Sequence, residues 1–464
     1  MIVEEYAVSA SLIKTAPPTS FTCACDKSLH SACRGLLPFG KSKGEEFCVL
    51  HFPGKNKAAE FEAAIEKKCK DKDFDFRGVW FPSEATFENV VFDKRADFTH
   101  AEFTSTVKFI GSVFNGEAKF IDTKFRGGVS FNQTQFTQAV QYNFAIFEGP
   151  ASFASSTFAE AVNFGHAVFL QSAHFIRTTF GAEANFAKTT FKSEANFAYA
   201  TFKEHLMFSG ETYTAEIAKS MSFKRARIDK PSHVSFHAFS LRPHWFISVN
   251  TREFEFTNIR WRVYKTEKAI EVLRRSEEEE ERDPIHTTLE TTGKGAVPLR
   301  RLLGRVYRDL AINCEDNHQY DSASKFRYLA MDLQRVSHAG GLAFWTLGWW
   351  YWLASGFGER VWRALVALVV VWLLAAMLYT QVGFVRWEPR TSSEREAAEA
   401  RRDEVGEPLR WQRALTYSLG VMTLQKPEPR PASNAAQALV MLETILGPVQ
   451  AALLALAIRR KFMR

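Results

Sequence analysis

An aromatic residue recurs every five or six positions between Phe87 and Phe208. Intervals of five and six residues alternate without interruption. Neither the 3.6-residue period of a helix nor the two-residue alternation of a long strand produces this pattern. A chain with this pattern must fold into a repeating unit of about eleven residues. The rungs of this ladder are Phe87, Phe92, Phe98, Phe103, Phe109, Phe114, Phe120, Phe125, Phe131, Phe136, Tyr142, Phe147, Phe153, Phe158, Phe164, Phe169, Phe175, Phe180, Phe186, Phe191, Phe197, Phe202 and Phe208.

A small or apolar residue precedes each rung by two positions, as Ala96 precedes Phe98 and Thr123 precedes Phe125. In extended backbone, residues two apart point to the same side, so each short strand buries one aromatic ring and one small side chain. Four such strands close a square coil of about 22 residues, and stacked coils lie about 4.8 Å apart. The ladder therefore predicts a β-solenoid with columns of rings along its axis and caps at both ends.

This ladder resembles the pentapeptide-repeat family, in a phenylalanine-centred form with one extra residue in every second repeat. The resemblance implies a right-handed quadrilateral β-helix, but this fold by itself indicates almost nothing about function. Some proteins of that family mimic DNA and bind gyrase. Such mimicry needs an acidic rod, whereas residues 83–208 hold 12 acidic and 10 basic side chains, so we expect no nucleic-acid-related role.

The predicted β-helix spans residues 73–262, with irregular last coils after Phe208. Residues 1–72 form its N-terminal cap, in which KAAEFEAAIEKKCKDK is expected to be an amphipathic helix over the first coil. The extreme N-terminus has no basic cluster followed by a long apolar run, so it is not expected to be a secretory signal.

Five candidate metal ligands lie within 29 residues of this cap: Cys23, Cys25, Cys33, Cys48 and His51. Cys48 and His51 have the spacing of a chelating pair, and Cys33 with either Cys23 or Cys25 completes four ligands. Thiolates with an imidazole suit tetrahedral zinc, so a structural zinc ion is one hypothesis. Unligated thiols packed beneath the cap and redox chemistry are the alternatives.

Residues 263–298 contain a charge run followed by Thr, Gly and Pro, which predicts a helix and a solvated linker. Residues 299–340 have apolar residues at helical spacing on both sides of EDNHQ, which predicts a helical hairpin similar to one tetratricopeptide unit. We expect this hairpin to couple the solenoid to the segments that follow.

Two later segments are long and apolar enough to span a bilayer, namely Ala364–Phe384 and Ala435–Ile458. A buried helix of a soluble protein is the alternative for the first. The tryptophan-rich residues 341–363 before it predict a helix lying at the membrane interface. Basic residues flank the outer ends of both spans, so we expect a multi-pass protein of the cell inner membrane, with the N-terminal domains and the C-terminus in the cytoplasm.

A shorter apolar segment, residues 409–424, lies between the two spans within the predicted membrane domain 364–464. It is too short to cross a bilayer and too apolar for an open loop, which favours a re-entrant half-helix. RALTYSLGVMT resembles the pore helix of two-transmembrane potassium-type channels, and ETILGPVQAALLALAIRRKFMR resembles their inner helix. The resemblance implies a tetrameric channel, but LQKPEPRP stands where those channels have a glycine-containing selectivity filter. Potassium selectivity is therefore not expected.

The side chains expected at this pore are hydroxyls and residues of the second span: Thr416, Ser418, Thr423, Glu443, Gly447 and Pro448. Glu443 either lines water or braces the pore helix, because an acid in a membrane needs water or a donor. Gly447 is either a gating hinge or a site of close packing.

The sequence thus predicts a β-solenoid joined to a helical hairpin and a two-span membrane domain, acting as an oligomeric ion channel or pore with a cytoplasmic regulatory solenoid. The lipid bilayer, ions, further copies of the chain and a protein bound to the solenoid are the expected partners. A membrane-anchored scaffold is the main alternative, and a gyrase inhibitor is a weaker one. No phosphate loop, nucleophile elbow or paired catalytic histidines occur, so we do not expect an enzyme.

Overall fold

The computed structural model describes residues 21–33, 36–210, 220–264, 299–339, 346–385 and 407–462, together with 218, 268, 270, 271, 274 and 275. The chain divides into two compact units, Met1–Tyr264 and Lys265–Arg464. Most of the linker predicted at 263–298 lies outside the described residues, as do residues 1–20 and 341–345.

The first unit contains a β-solenoid of about eight turns, which confirms the architecture predicted from the aromatic ladder. Ala96 pairs in parallel with Ala118, and Ala118 pairs with Val140, so each coil takes 22 residues. The coil has four sides, because every fifth or sixth residue starts a new strand that pairs only with the equivalent strands of neighbouring coils.

The strands are two to four residues long and form four parallel sheets, one for each side of the coil. The first sheet comprises Ala96–Asp97, Ala118–Lys119, Val140–Gln141, Val162–Asn163, Ala184–Ala187, Leu206–Ser209, Val234–His237 and Glu255–Thr257. The second comprises Trp80–Phe81, Glu102–Phe103, Lys124–Phe125, Ile146–Phe147, Val168–Phe169 and Thr190–Phe191.

The other two sheets complete the coil. The third comprises Ala85–Thr86, Val107–Lys108, Val129–Ser130, Ala151–Ser152, Ala173–His174, Glu194–Asn196 and Ser220–Ser222. The fourth comprises Val91–Phe92, Val113–Phe114, Gln135–Phe136, Thr157–Phe158, Thr179–Phe180, Thr201–Phe202 and Arg227–Ile228. A short additional pair, Ser240–Leu241 with Arg260–Trp261, lies in the last coils.

The aromatic rungs are buried in the interior and stack in columns. The rings of Phe98 and Phe120 are 4.9 Å apart with an interplanar angle of 2°, and those of Phe120 and Tyr142 are 4.8 Å apart. Rings on adjacent sides meet edge to face, as Phe98 and Phe109 do at 5.6 Å. Stacked and edge-to-face contacts are the two favourable aromatic geometries, and this core consists of both.

From Ala96 onward the small residues that precede the rungs are also buried, and the hydroxyl-bearing ones have a second role. Thr123 Oγ1 donates to the carbonyl of Phe98, and Thr134 Oγ1 donates to that of Phe109, both at 2.8 Å. These bonds join each coil to the preceding one and satisfy hydroxyl groups that would be costly to bury unpaired.

The N-terminal cap consists of a 3₁₀ turn at Lys27–Cys33, an antiparallel hairpin of Pro38–Ser42 with Glu45–Cys48, a second 3₁₀ turn at Lys55–Lys57, and helix α1 at Ala58–Lys70. Phe61 of α1 is buried and meets Phe81 of the first coil edge to face at 5.3 Å. The other end has 3₁₀ turns at Pro231–His233 and Pro243–Phe246. There the edge-to-face contact of Phe256 with Trp261, at 5.0 Å, covers the aromatic core.

Besides the helical residues 268, 270, 271, 274 and 275, the described part of the second unit contains six helices. They are α2 at Leu299–Asp316, α3 at Tyr320–Ala339, α4 at Leu347–Ser355, α5 at Val361–Tyr379, α6 at Trp411–Met422 and α7 at Asn434–Phe462. A small antiparallel sheet joins Gly383–Val385 to Glu407–Pro408 and Arg430–Pro431. Helices α2 and α3 form a hairpin in which Tyr307 and Phe326 stack at 6.0 Å. By length and composition, α5 and α7 could each cross a membrane.

Candidate pore element and candidate metal centre

The short helix α6 starts beside the end of α5. The Leu409 amide donates to the Tyr379 carbonyl at 3.4 Å, and the small sheet brings residues 383–385, 407–408 and 430–431 to the same end of the helical bundle. Helix α7 also begins there, since the Ala432 amide donates to the Gly383 carbonyl at 3.1 Å. This end of the bundle, where α5 ends and α7 begins, is called the sheet end below.

From the sheet end, α6 runs between α5 and α7 toward the middle of both. Trp372 Nε1 of α5 donates to the Leu415 carbonyl at 3.0 Å, and Ser418 Oγ contacts the Trp372 carbonyl at 3.2 Å. The last residue of α6, Met422, lies against Gly447, the middle of α7. A Cβ at position 447 would be 3.0 Å from Met422 Cα.

After α6 the chain turns and comes back. Leu424 has a φ of 62°, in the left-handed region that non-glycine residues seldom adopt. The Gln425 amide donates to the Gly420 carbonyl at 2.9 Å, and Pro427 packs on Gly420. Residues 430–431 then rejoin the sheet end, so residues 409–431 enter the bundle and leave it on the same side.

The predicted acid, Glu443, is buried between the three helices and is 2% exposed. Tyr379 of α5 and Ser418 of α6 each donate a hydrogen bond to its carboxylate. The tyrosine ring also packs edge to face on Tyr417 at 5.1 Å. Within one protomer this arrangement joins all three helices and has the geometry of a brace.

The other predicted pore residues are placed differently. Thr416 and Thr423 are exposed and donate to backbone carbonyls of α6 itself, Arg413 at 3.0 Å and Leu419 at 2.9 Å. Gly447 is buried, and Pro448 beside it is half-buried. The exposed tip of the returning segment, residues 423–426, contains Lys426.

A second polar cluster lies at the opposite end of the bundle, where α5 begins and α7 ends. The Glu359 side chain is 2% exposed and accepts a hydrogen bond from Ser324 Oγ of the hairpin at 2.7 Å. Arg460 of α7 and Arg327 of the hairpin approach the same carboxylate at 3.3 and 3.8 Å. One buried acid therefore contacts the hairpin, the turn before α5 and the end of α7.

Gln450 of α7 adds a further link near this end. Its Nε2 donates to the carbonyls of Ala354 and Ala364, each at 2.8 Å. Arg460 Nη1 also donates to the Phe357 carbonyl at 3.0 Å. These bonds fix α7 against α4 and the start of α5.

In the N-terminal cap, four ligand atoms that could hold a metal ion lie within 4.8 Å of one another: the sulfurs of Cys23, Cys33 and Cys48 and a ring nitrogen of His51. His51 Nδ1 is 3.9, 3.0 and 3.3 Å from the three sulfurs in that order, and the sulfurs of Cys33 and Cys48 are 3.7 Å apart. Tetrahedral zinc with bonds of about 2.0–2.3 Å places its donors about 3.5–3.8 Å apart. The donor set and its spacing fit such an ion.

The surroundings of these four residues also suit a metal. His51 Nε2 lies 2.8 Å from the Arg77 carbonyl, so it donates there and leaves Nδ1 free to face the sulfurs. The Cys48 amide donates to Cys23 Sγ at 3.3 Å. Hydrogen bonds from the Cys25, Cys33 and Cys48 thiols lower the pKa of Cys23. Cys25 lies outside the four-donor group, with its sulfur 3.4 Å from Cys33 Sγ.

The comparisons with known proteins concern the solenoid. A family profile described as Pentapeptide repeats (9 copies) matches residues 98–141, 131–179, 142–190 and 164–212. The chain therefore contains pentapeptide repeats over this part, and it also has two helices that could span a membrane. No curated protein matches the chain, and no solved structure does.

Several residues of these sites were not predicted from the sequence. In the sequence, Tyr379 and Trp372 are aromatic residues within an apolar segment, and Glu359 is an acid next to Arg360, so nothing marks them as site residues. A polar residue inside a long apolar segment was the available signal for Gln450, as it was for Glu443.

Proposed function

We propose that the protein is an oligomeric membrane channel or pore in which residues 409–431 of several copies surround a water-filled path. The observation that supports this most directly is the exposed tip, residues 423–426, beside the middle of an apolar helix. A cytoplasmic pentapeptide-repeat domain would then act as the regulatory part of the channel.

The depth of the tip follows from helix geometry. Gly447, which contacts Met422, is 13 positions beyond the first residue of α7. At about 1.5 Å per residue this is about 20 Å along a helix that crosses a hydrocarbon layer of about 30 Å. The tip thus lies deep within the bilayer once α5 and α7 span it.

Lipid cannot form hydrogen bonds with the non-helical backbone of residues 423–426, nor can it solvate the charge of Lys426. Non-helical backbone at membrane depth is tolerated only where protein covers it or where it lines water, and a lysine there is costly unless it faces water or a partner. Within one protomer, residues 423–426 are exposed. Further copies of the chain, arranged around water, would meet both requirements.

The basic residues support one orientation. The turn before α5 and the end of α7 lie side by side, and they bring Arg360, Arg363, Arg459, Arg460 and Lys461 to the same end of the bundle. By the positive-inside rule this end faces the cytoplasm. The solenoid and the hairpin, which precede α5, would then be cytoplasmic as well.

The pore would not select potassium. Potassium filters need a ring of backbone carbonyls from a glycine-containing loop. Here the returning segment is LQKPEPRP, whose exposed polar side chains are Gln425, Lys426, Glu428 and Arg430. A lysine near the narrowest part favours anions or gives weak selectivity.

The regulatory route would run through the hairpin. Glu359 holds Arg327 of α3 and Arg460 of α7 together in a buried position. The cytoplasmic end of α7 would be the gate, by the resemblance to two-span channels. A shift of the hairpin would then move the gate through this carboxylate.

We also propose that Cys23, Cys33, Cys48 and His51 of the cap bind a zinc ion with a structural role. Thiolate and imidazole ligands favour zinc, and four protein donors leave no open position for catalysis. The metal would hold the cap hairpin to the first 3₁₀ turn of the cap. Metal analysis of the purified chain tests this, with one zinc per chain expected and an absence of stoichiometric metal contradicting it.

A membrane-anchored scaffold is the competing function, and one observation favours it. The Glu443 carboxylate is paired within a single protomer by Tyr379 and Ser418, so it needs no water. An anchor of this kind would have no conductance.

Recording from planar bilayers that contain the purified chain tests the channel directly. We expect discrete conductance steps, and Lys426→Glu should move the reversal potential in a salt gradient toward cation preference. Lys426→Arg is the matched control and should leave the reversal potential unchanged. Silence in all salts and voltages would favour the scaffold, whereas conductance with equal reversal potentials for the two variants and the wild type would show that Lys426 does not face the ion path.

A further inference from the structure

A fourth thiol, that of Cys25, lies beside the candidate metal centre and takes no part in the four-donor group. Cys25 Sγ is 3.4 Å from Cys33 Sγ. A disulfide needs about 2.05 Å, so a shift of roughly 1.4 Å in a loop would join the two sulfurs.

Cys25 and Cys33 are more exposed to solvent than the other residues of the cluster. Cys23 and Cys48 are buried, 4% and 0% exposed, and His51 is 6% exposed. Cys25 and Cys33 are both half-buried. Among the cysteines of the cluster, Cys25 and Cys33 are therefore the two that are partly exposed to solvent.

We propose that Cys25 and Cys33 form an oxidant-sensitive pair, in which a hydroperoxide converts the two thiols to a disulfide and thereby releases the metal ion. This inference rests on the proposed metal site and adds a modification site to it. The reactant class is a hydroperoxide, with hydrogen peroxide as its simplest member.

The chemistry balances in two steps. The Cys25 thiolate, which is outside the four-donor group, attacks one oxygen of hydrogen peroxide, and the O–O bond breaks to give a sulfenic acid on Cys25 and, with one proton from solvent, water. The Cys33 thiolate then attacks the sulfenic sulfur, and the S–O bond breaks to give the disulfide and, with a second proton from solvent, a second water. Two electrons pass from the two sulfurs to the peroxide.

Loss of the metal follows from the ligand count. A disulfide sulfur is a poor ligand, because zinc is bound by thiolate. Oxidation of Cys33 leaves Cys23, Cys48 and His51, three donors in place of four. The remaining site binds zinc weakly, and the cap loses the link between its hairpin and its first 3₁₀ turn.

The test uses the full chain in detergent, purified under reducing conditions and with its zinc content measured. Hydrogen peroxide is added, zinc release is followed with a chromogenic chelator, and the disulfides are mapped by mass spectrometry. Cys25→Ser removes the attacking thiol but leaves four donors. Cys69→Ser is the matched control, because Cys69 is half-buried in α1 and lies outside the cluster.

We expect the wild type and Cys69→Ser to release zinc together with formation of a Cys25–Cys33 disulfide. Cys25→Ser should hold stoichiometric zinc before oxidation and release it at least about tenfold more slowly. Release from Cys25→Ser at the wild-type rate, loss of zinc from that variant before oxidation, or a disulfide between other cysteines would overturn the inference. A wild-type chain purified without zinc would instead contradict the metal site, and the mapped disulfide alone would then decide whether Cys25 and Cys33 react with each other.

Discussion

Gly447 of α7 packs directly on Met422 at the end of α6, with room for hydrogen but not for a methyl group. A Cβ at position 447 would lie 3.0 Å from Met422 Cα and 3.1 Å from its Cβ. The half-helix reaches the middle of the bundle because this position is a glycine. This contact has the geometry of close packing, while a hinge role for Gly447 stays a prediction.

Gly447→Ala should lower the thermal stability of the detergent-solubilised chain. Alanine in place of glycine stabilises a helix by about 1 kcal/mol, but overpacking destabilises the fold by about 1–3 kcal/mol. We therefore expect the clash with the Met422 backbone to outweigh the gain in helix stability. Size-exclusion after a heat step measures the effect. Gly348→Ala in α4 is the control, since a Cβ there meets nothing within 4 Å. Equal melting temperatures for Gly447→Ala and the wild type would show that α6 does not pack as described.

Glu359→Ala should loosen the hairpin and the end of α7 together. It leaves Arg327 and Arg460 without their shared acid, and breaking a buried ion pair costs about 3–5 kcal/mol. Hydrogen exchange measured by mass spectrometry should rise in peptides from both helices. Glu359→Gln keeps the acceptor for Ser324 and should give a smaller rise. An increase confined to one helix would contradict a shared junction.

The aromatic core could be predicted almost completely from the sequence, whereas its polar ladder could not. The step of five and six reports directly which side chains point inward, so every rung from Phe87 to Phe208 was identified, and all are buried. Thr123 and Thr134 were recognised only as small residues. Their bonds go to carbonyls 25 residues earlier, and that pairing exists only once coils have stacked.

The candidate pore element and the candidate metal centre show the same limit: contacts between residues far apart in the sequence, or choices between close neighbours, could not be predicted. Glu443 stands out in the sequence as an acid within a span, but its partner Tyr379 is 64 residues away and follows from the tertiary path alone. The spacing of the cap cysteines predicted that they form one cluster. It did not determine whether Cys23 or Cys25 is the fourth ligand, because the two lie two residues apart in a loop. The structure places Cys23 in the four-donor group and Cys25 outside it.

Tyr142→Phe should stabilise the solenoid. Tyr142 is fully buried, and its hydroxyl has no hydrogen-bond partner among the described residues. Burial also raises the pKa of this phenol well above its ordinary value, so the group is buried neutral. An unpaired buried hydroxyl costs about 1–3 kcal/mol, which the variant recovers.

Urea unfolding of residues 1–264, which form one compact unit, measures this gain. Phe164→Tyr is the reciprocal control, since Phe164 stacks on Tyr142 at 4.7 Å and would acquire a buried hydroxyl. That variant should be less stable than the wild type. A loss of stability in Tyr142→Phe would show that the hydroxyl has a partner after all.

The last coils of the solenoid should lose stability as the pH falls from about 6.5 toward 4. Burial, and next the Arg242 charge, lower the pKa of His244 from 6.5 to about 4. Between these values the unfolded chain binds a proton that the folded chain does not, so the free energy of unfolding decreases with falling pH. The full effect is up to about 3 kcal/mol at 1.36 kcal/mol per pKa unit.

Other groups titrate in the same range, so the comparison is with His244→Gln, which cannot take up the proton. The difference in unfolding free energy between the wild type and this variant should be constant above pH 7 and change steadily below 6.5. A difference that does not vary with pH would mean that His244 is solvated in the folded chain.

The exposure of Lys426 to water within the membrane tests the central claim most directly. Cys314 is the last native cysteine and precedes both spans, so an impermeant thiol reagent added from the side opposite the solenoid should meet only an engineered thiol. Lys426→Cys should react there at a rate close to that of a free thiol, and Leu374→Cys, on an exposed apolar face of α5, should not react. If both positions are equally unreactive in sealed vesicles, the tip of the returning segment is surrounded by lipid or protein, and residues 409–431 enclose no water.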